Sequence, residues 1–150
     1  MPTVHIIAVG RIKPGPLKDL ISDYQKRIGW NLRLHEIDIR DAGPQQQVRE
    51  NQAVFAALPD GATVFCLDER GKTMKSADFS RMIQTEFDDG RDVAFVIGGA
   101  DGLLDTVRGR AKHLIAFGMM TWPHQLVRVM LVEQLYRAQQ IVAGHPYHRE

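Results

Sequence analysis

The densest chemistry in this 150-residue chain lies at its end. Gly144-His145-Pro146-Tyr147-His148-Arg149-Glu150 places two imidazoles, a phenol and a guanidinium after a glycine suited to ending a helix. A neutral His148 can take a proton from a weakly acidic ring nitrogen. Arg149 can pair with phosphate or with the anion so formed, and Tyr147 can stack on a nucleobase. A tail of this composition can also do no more than anchor the helix before it. That helix carries Arg128 near its start and Glu133 with Arg137 at i,i+4, the spacing of a surface ion pair.

Glycines that follow apolar runs form a second group. Leu67-Asp68-Glu69-Arg70-Gly71-Lys72, Ile97-Gly98-Gly99-Ala100-Asp101-Gly102 and Phe117-Gly118-Met119-Met120-Thr121-Trp122-Pro123 each leave a strand-like segment. Without a Cβ, backbone amides and carbonyls can approach a ligand closely. Such glycines also serve plain tight turns, but three of them together favour a cofactor crevice. A triphosphate cradle is disfavoured, because a P-loop ending in Gly71-Lys72-Thr73 needs glycine where Cys66 stands. The dinucleotide fingerprint G-x-G-x-x-G is missing too, as is an acidic residue between Asp105 and Glu133 to hold a ribose. No G-x-S-x-G elbow is present, Cys66 reads as a small apolar group inside a strand, and His145 with His148 has too few companions for a metal. What remains suits a flat adenine with a methionine-like tail.

The elements that must position these groups alternate. Thr3 to Val9 is a β-branched strand, and Pro16 opens an amphipathic helix carrying Leu17, Leu20, Ile21, Tyr24 and Ile28. Leu32, Leu34, Ile37 and Ile39 suggest a second strand, and Pro44 starts a helix that reaches Leu58. Thr63 to Leu67 is a strand, Ser76 caps the next helix, and Val93 to Ile97 reads as a strand buried on both faces. A short helix around Leu103 to Lys112 leads to a strand from His113 to Phe117 and then to a long final helix. Strand and helix in alternation predict one domain over 1–150: a parallel sheet with helices on both faces.

Composition agrees. The chain is 44% hydrophobic and 25% charged, as expected of one globular domain, and its single cysteine excludes a disulfide framework. A start without a basic leader, and no apolar stretch long enough to span a bilayer, point to a cytoplasmic protein. The net charge of +1 divides unevenly: residues 61–105 carry 5 basic against 9 acidic side chains, residues 106–150 carry 6 against 2. A polyanion such as RNA would meet the last third, which also holds four of the six histidines.

Val96-Ile97-Gly98-Gly99, the block Leu126-Val127-Arg128-Val129 with Glu133-Gln134-Leu135-Tyr136-Arg137-Ala138, and the ending His145 to Glu150 together resemble the bacterial ribosomal RNA large subunit methyltransferase H family. The resemblance covers the whole chain and is strongest from Leu67 onward. It implies a SPOUT, or α/β-knot, fold with a C-terminal trefoil knot, S-adenosylmethionine as cofactor, and a homodimer. The implied reaction is N3-methylation of a pseudouridine in helix 69 of 23S rRNA on the assembled 70S ribosome. Carried over residue by residue, it assigns the cofactor pocket to Leu67, Gly98, Phe117, Gly118, Met119, Met120, Thr121 and Trp122. Catalysis falls to His148, Arg149 and Tyr147, with His148 as the base, and RNA contact to Arg128, His145 and Arg149. The tail of one subunit is expected to complete the site of the other, and no metal or membrane is implied. The competing expectation is a non-catalytic ribosome- or RNA-binding module that uses the basic end and binds no cofactor.

Overall fold

A computed structural model describes residues 2–149, so Met1 and Glu150, the last residue of the tail string, lie outside it. Five parallel strands form one sheet in the order β2-β1-β4-β3-β5. The strands are β1 (Thr3–Val9), β2 (Asn31–Ile37), β3 (Thr63–Lys72), β4 (Val93–Ile97) and β5 (His113–Ile115). Helices α1 (Pro16–Arg27), α2 (Gln46–Ala57), α3 (Ser76–Asp88), α4 (Asp105–Arg108) and α5 (His124–Val142) cover it.

Side chains alternate between the two faces of the central strands, which splits the core in two. Phe65, Leu67, Phe95 and Ile97 point to one side and pack with Ile21, Phe79, Ile83, Leu131 and Leu135 of α1, α3 and α5. Val64, Cys66, Ala94 and Val96 point to the other and meet Val54 of α2 and Val107 of α4. Every residue of β4 is buried, as its unbroken apolar run predicts. Burial and the nearby Asp68 carboxylate push the Cys66 thiol up to about 12, which leaves it an inert apolar group.

Several element ends differ from the sequence expectation, among them β3, which runs five residues past the expected Leu67 to Lys72. Ile39 falls outside β2, which stops at Ile37 where the Gly10 amide takes the last carbonyl. Pro44 sits in a 3-10 turn, Gly43–Gln45, and the α-helix begins only at Gln46. Ser76 does not cap α3: the N-cap is Lys75, and the Ser76 hydroxyl is spent on Gln134 of α5 at 2.7 Å. The expected helix from Leu103 to Lys112 contracts to one turn: the Arg110 and Ala111 amides turn back to Val107 and Arg108, and the Lys112 amide bonds the Val64 carbonyl of β3. Strand β5 ends at Ile115, two residues short of Phe117.

Candidate functional site

The sheet register builds the first part of the site. Leu67 is paired with Ile97 on one side and Ile115 on the other, so β4 and β5 end level with Leu67, while β3 shifts register there and runs on to Lys72. The segments that follow wall a cavity of about 710 Å³ at the carboxyl edge of the sheet, a size proper to small-molecule sites. Leu67, Gly98, Phe117, Gly118, Met120, Thr121 and Trp122 all line it. Met119 does not; its side chain is 98% exposed. Asp68, Asp101, Arg108, His124 and Val127 also line the cavity and were not singled out from the sequence. Asp68 carried a legible signal as the first residue after a buried strand, but its partner Arg108, 40 positions away, did not.

Three contacts set the rims. Arg108 donates through Nε to Asp68 at 2.8 Å, and this hydrogen bond holds the guanidinium pKa above its usual value despite partial burial. Thr121 donates to Glu69 at 3.1 Å, and the Trp122 indole N–H donates to the Phe117 carbonyl at 3.1 Å, which folds the last loop over the opening. The glycines have more specific reasons than ligand approach alone. A Cβ on Gly98 would stand 3.1 Å from Leu103, and one on Gly99 would stand 2.9 Å from Val9, so both are required by packing. A Cβ on Gly71 would stand 2.5 Å from the Ile115 backbone, in the register shift where β3 packs along β5. Gly71 serves that packing and no phosphate cradle. Gly118 differs: its φ is +112° and nothing stands within 4 Å of a built Cβ.

Helix α5 approaches this cavity with its N-terminal end. Arg128 is 1% exposed; it pairs with Glu36 at 2.6 Å and donates to the Gly10 carbonyl at 2.9 Å, and Glu36 also accepts the Ile12 amide. Burial alone would raise the Glu36 pKa, but the Ile12 and Arg128 hydrogen bonds bring it below its usual value. The expectation that Arg128 contacts RNA is therefore corrected: its guanidinium is enclosed between β1, β2 and α5 and braces the start of the helix. His145 and Arg149, the other two residues expected to meet RNA, are exposed.

The tail forms a second cluster. Gly144 at φ +70° closes α5 with a paired C-cap: its own amide reaches the Ile141 carbonyl, and the His145 amide reaches Gln140. The chain then folds back on the helix. Tyr147 stands edge-on to Tyr136, lies under the Arg137 guanidinium and donates its phenol to Glu133 at 2.8 Å. Burial, followed by contacts to Glu133 and Tyr24, pushes the Tyr147 pKa well above its usual value. Arg137 binds both oxygens of Glu133 and places its remaining amino group 3.2 Å from His148 Nδ1. So Glu133 and Arg137 are no bare surface pair; they are the half-buried clamp of the tail. Among the described residues of the tail, none lines the cavity of its own chain. His148, Arg149 and Tyr147 are thus gathered with each other but apart from the cofactor-pocket candidates.

A crevice at the carboxyl edge of a parallel sheet, lined by the loop before a C-terminal helix, is where open α/β folds hold a small ligand. Residues 3–148 match a family model described as "Predicted SPOUT methyltransferase", and the chain belongs to that family. It is 54% identical over 147 residues to the Ribosomal RNA large subunit methyltransferase H of Rhodospirillum centenum, a match covering 96% of this chain and 97% of that one. It is 50% identical, with the same coverage, to the protein of that name from Paramagnetospirillum magneticum. The fold is also that of a probable methylase family protein from Haemophilus influenzae, with a TM-score of 0.62 at 9% identity, covering 98% of this chain and 70% of that one.

Among the described residues, no group of His, Cys, Asp and Glu is placed to hold a metal ion, and no helix is long and apolar enough to cross a membrane.

Proposed function

We propose that this chain is an S-adenosylmethionine-dependent methyltransferase that methylates N3 of a pseudouridine in helix 69 of 23S rRNA, acting as a cytoplasmic homodimer on the assembled 70S ribosome. The observation that carries the reading is the cavity itself, at the carboxyl edge where Leu67 pairs with Ile97 and Ile115, in a chain about half identical to proteins named for methylating large-subunit rRNA. The lining fits the cofactor. Its volume, its backbone-rich walls at Gly98 and Gly118, its apolar surfaces at Leu67, Ile97 and Trp122, and the carboxylates of Glu69 and Asp101 suit a purine, a ribose and an amino-acid tail. The C-terminal trefoil knot expected of this superfamily is part of this reading, supported by the match of residues 3–148 to the SPOUT family model.

When bound, the cofactor supplies an electrophilic methyl group on a sulfonium. The chain's own residues do the rest. Phe117, Gly118, Met120, Thr121 and Trp122 of the loop that lines the cavity would hold the cofactor, the loop being fixed by the Thr121–Glu69 and Trp122–Phe117 hydrogen bonds. The target nitrogen must shed its proton before its electron pair can attack. That pair would then take up the methyl group, and the sulfonium would leave as a neutral thioether. Arg149 and His148 stabilise the negative charge that gathers on the base, and Tyr147 holds the tail in place. Since the tail does not enter its own chain's cavity, these groups serve the partner's cavity in a dimer.

The test is transfer of labelled methyl from S-adenosylmethionine to ribosomes from a strain lacking this gene, with free 23S rRNA and separate subunits in parallel, and the product mapped by mass spectrometry. Label on N3 of one helix 69 pseudouridine, on assembled ribosomes only, is expected. Cofactor binding without label would overturn the substrate; salt-sensitive ribosome binding without cofactor binding would establish the non-catalytic module instead.

A further inference from the structure

We propose that the Glu133–Arg137 pair fixes His148 as its Nε2–H tautomer, so that the imidazole meets the substrate as a hydrogen-bond donor and not as a base. The inference rests on the methyltransferase reading above and sets the part His148 plays in it. A guanidinium carries five N–H donors, has no acceptor and keeps its charge in proteins. Arg137 lies 3.2 Å from His148 Nδ1, so that nitrogen must be the acceptor and must be unprotonated. In a neutral imidazole the proton then resides on Nε2.

Arg137 is not free to turn away. Its Nε and second amino group bind the two oxygens of Glu133 at 3.2 and 2.8 Å, a forked arrangement one helical turn apart on α5. The Tyr147 ring packs under the same guanidinium, and its phenol uses the Glu133 oxygen that faces the tail. One carboxylate therefore holds both the cation that reads Nδ1 and the residue next to His148. The imidazole is only half-buried, which leaves an edge open to a ligand.

An Nε2–H cannot accept the N3 proton. It can donate to a ring carbonyl flanking N3, where charge collects once that proton has left to water. This assigns Glu133 and Arg137 as positioning residues, and it replaces the role of base expected for His148 from the sequence.

Long-range proton–nitrogen correlation of the full-length protein labelled with 15N-histidine reads the tautomer directly, the His148 signals being identified by their loss in His148→Gln. A pyridine-like Nδ1 with a protonated Nε2 is expected near neutral pH; a protonated Nδ1, or an imidazolium, would overturn the proposal. Kinetics give a second arm. A glutamine amide can donate near the Nε2 position but cannot act as a base, so His148→Gln should stay within about 10-fold of wild-type kcat. His148→Ala should lose roughly 10²–10³-fold, the usual cost of one preorganised donor. Equal loss in the two variants would refute the donor role. Arg137→Met should mix the two tautomers and lower kcat about 10-fold at unchanged KM for cofactor, with Arg137→Lys, still a donor, recovering part of the rate. If wild-type protein transfers no methyl, the functional reading fails, and the nitrogen spectrum still decides the tautomer.

Discussion

The crevice and the tail are positioned by different means. The crevice takes its shape from backbone: Leu67 pairs with both Ile97 and Ile115, and this row of three parallel strands sets the floor from which the lining segments rise. The tail takes its shape from side chains, with Glu133, Arg137 and Tyr136 of one helix gripping Tyr147 and His148 after a glycine turn. A site made of register is buried with the sheet and tolerates few added atoms. One made of side-chain clamps stands half-exposed and can be removed without disturbing the core. Binding and chemistry should thus be separable by mutation.

The largest expected effect follows from that separation. Deleting residues 145–150 should lower methyl transfer by roughly 10³-fold or more, since the donor and charge-stabilising groups go together. Cofactor affinity measured by calorimetry should stay within about 3-fold, because no described tail residue lines its own chain's cavity and the tail's part in the partner's cavity is to meet the base. A parallel loss of cofactor binding would break the comparison and place the tail inside the crevice.

Arg128 tests the frame between the two regions. It was expected to meet RNA, yet it is enclosed with Glu36 and the Gly10 carbonyl. Arg128→Met leaves Glu36 without its cation. Breaking a buried pair costs about 3–5 kcal/mol, and the lower end applies here since Glu36 keeps some exposure, giving a melting point about 6–12 °C lower. The salt dependence of ribosome binding should not change. If its slope fell by about one unit while stability held, Arg128 would be a phosphate contact after all.

Gly98 gives the opposite split to the tail deletion. A valine there must push against Leu103, 3.1 Å from the first added carbon, and against the Gly102 carbonyl carbon at 3.2 Å. Overpacking of this kind costs roughly 1–3 kcal/mol, which should appear as about 10–100-fold weaker cofactor binding with ribosome binding retained.

What the sequence disclosed follows the same division. Runs such as Val93 to Ile97 state their own burial, so the strands of the sheet were legible, and the residues that the family resemblance assigns to the pocket line the cavity except Met119. Neighbouring strands can be inferred from alternation, but the alignment of Leu67 with Ile97 and Ile115 depends on register, which no local pattern carries. The tail was legible as chemistry and illegible as geometry. Glu133 and Arg137 have the spacing of an exposed pair, and only the return of the chain at Gly144 turns them into a clamp. Arg128 was misread for the same reason, since its partner lies 92 residues away on β2. Ser76 has the right type for a cap, but Gln134 of α5 competes for its hydroxyl and wins.

The smallest effect uses pH to pull the two regions apart. Glu36 has a folded pKa below its unfolded one, because the Ile12 and Arg128 hydrogen bonds outweigh burial. Its contribution is present above the unfolded value, roughly 4.3, and is lost as pH falls through the folded value. Tyr147 runs the other way: burial and its bond to Glu133 raise the folded pKa. Its contribution is present below the unfolded value, about 10, and is lost as pH rises toward the folded one. Acid should therefore loosen the brace beneath the crevice first, and alkali the tail. Protease cleavage after Gly144 should accelerate above about pH 10 while near pH 4 it follows global unfolding, and Tyr147→Phe should abolish the alkaline step at a cost of about 0.5–1.5 kcal/mol at neutral pH. An alkaline step that survives Tyr147→Phe would show that something other than the phenol–carboxylate contact holds the tail.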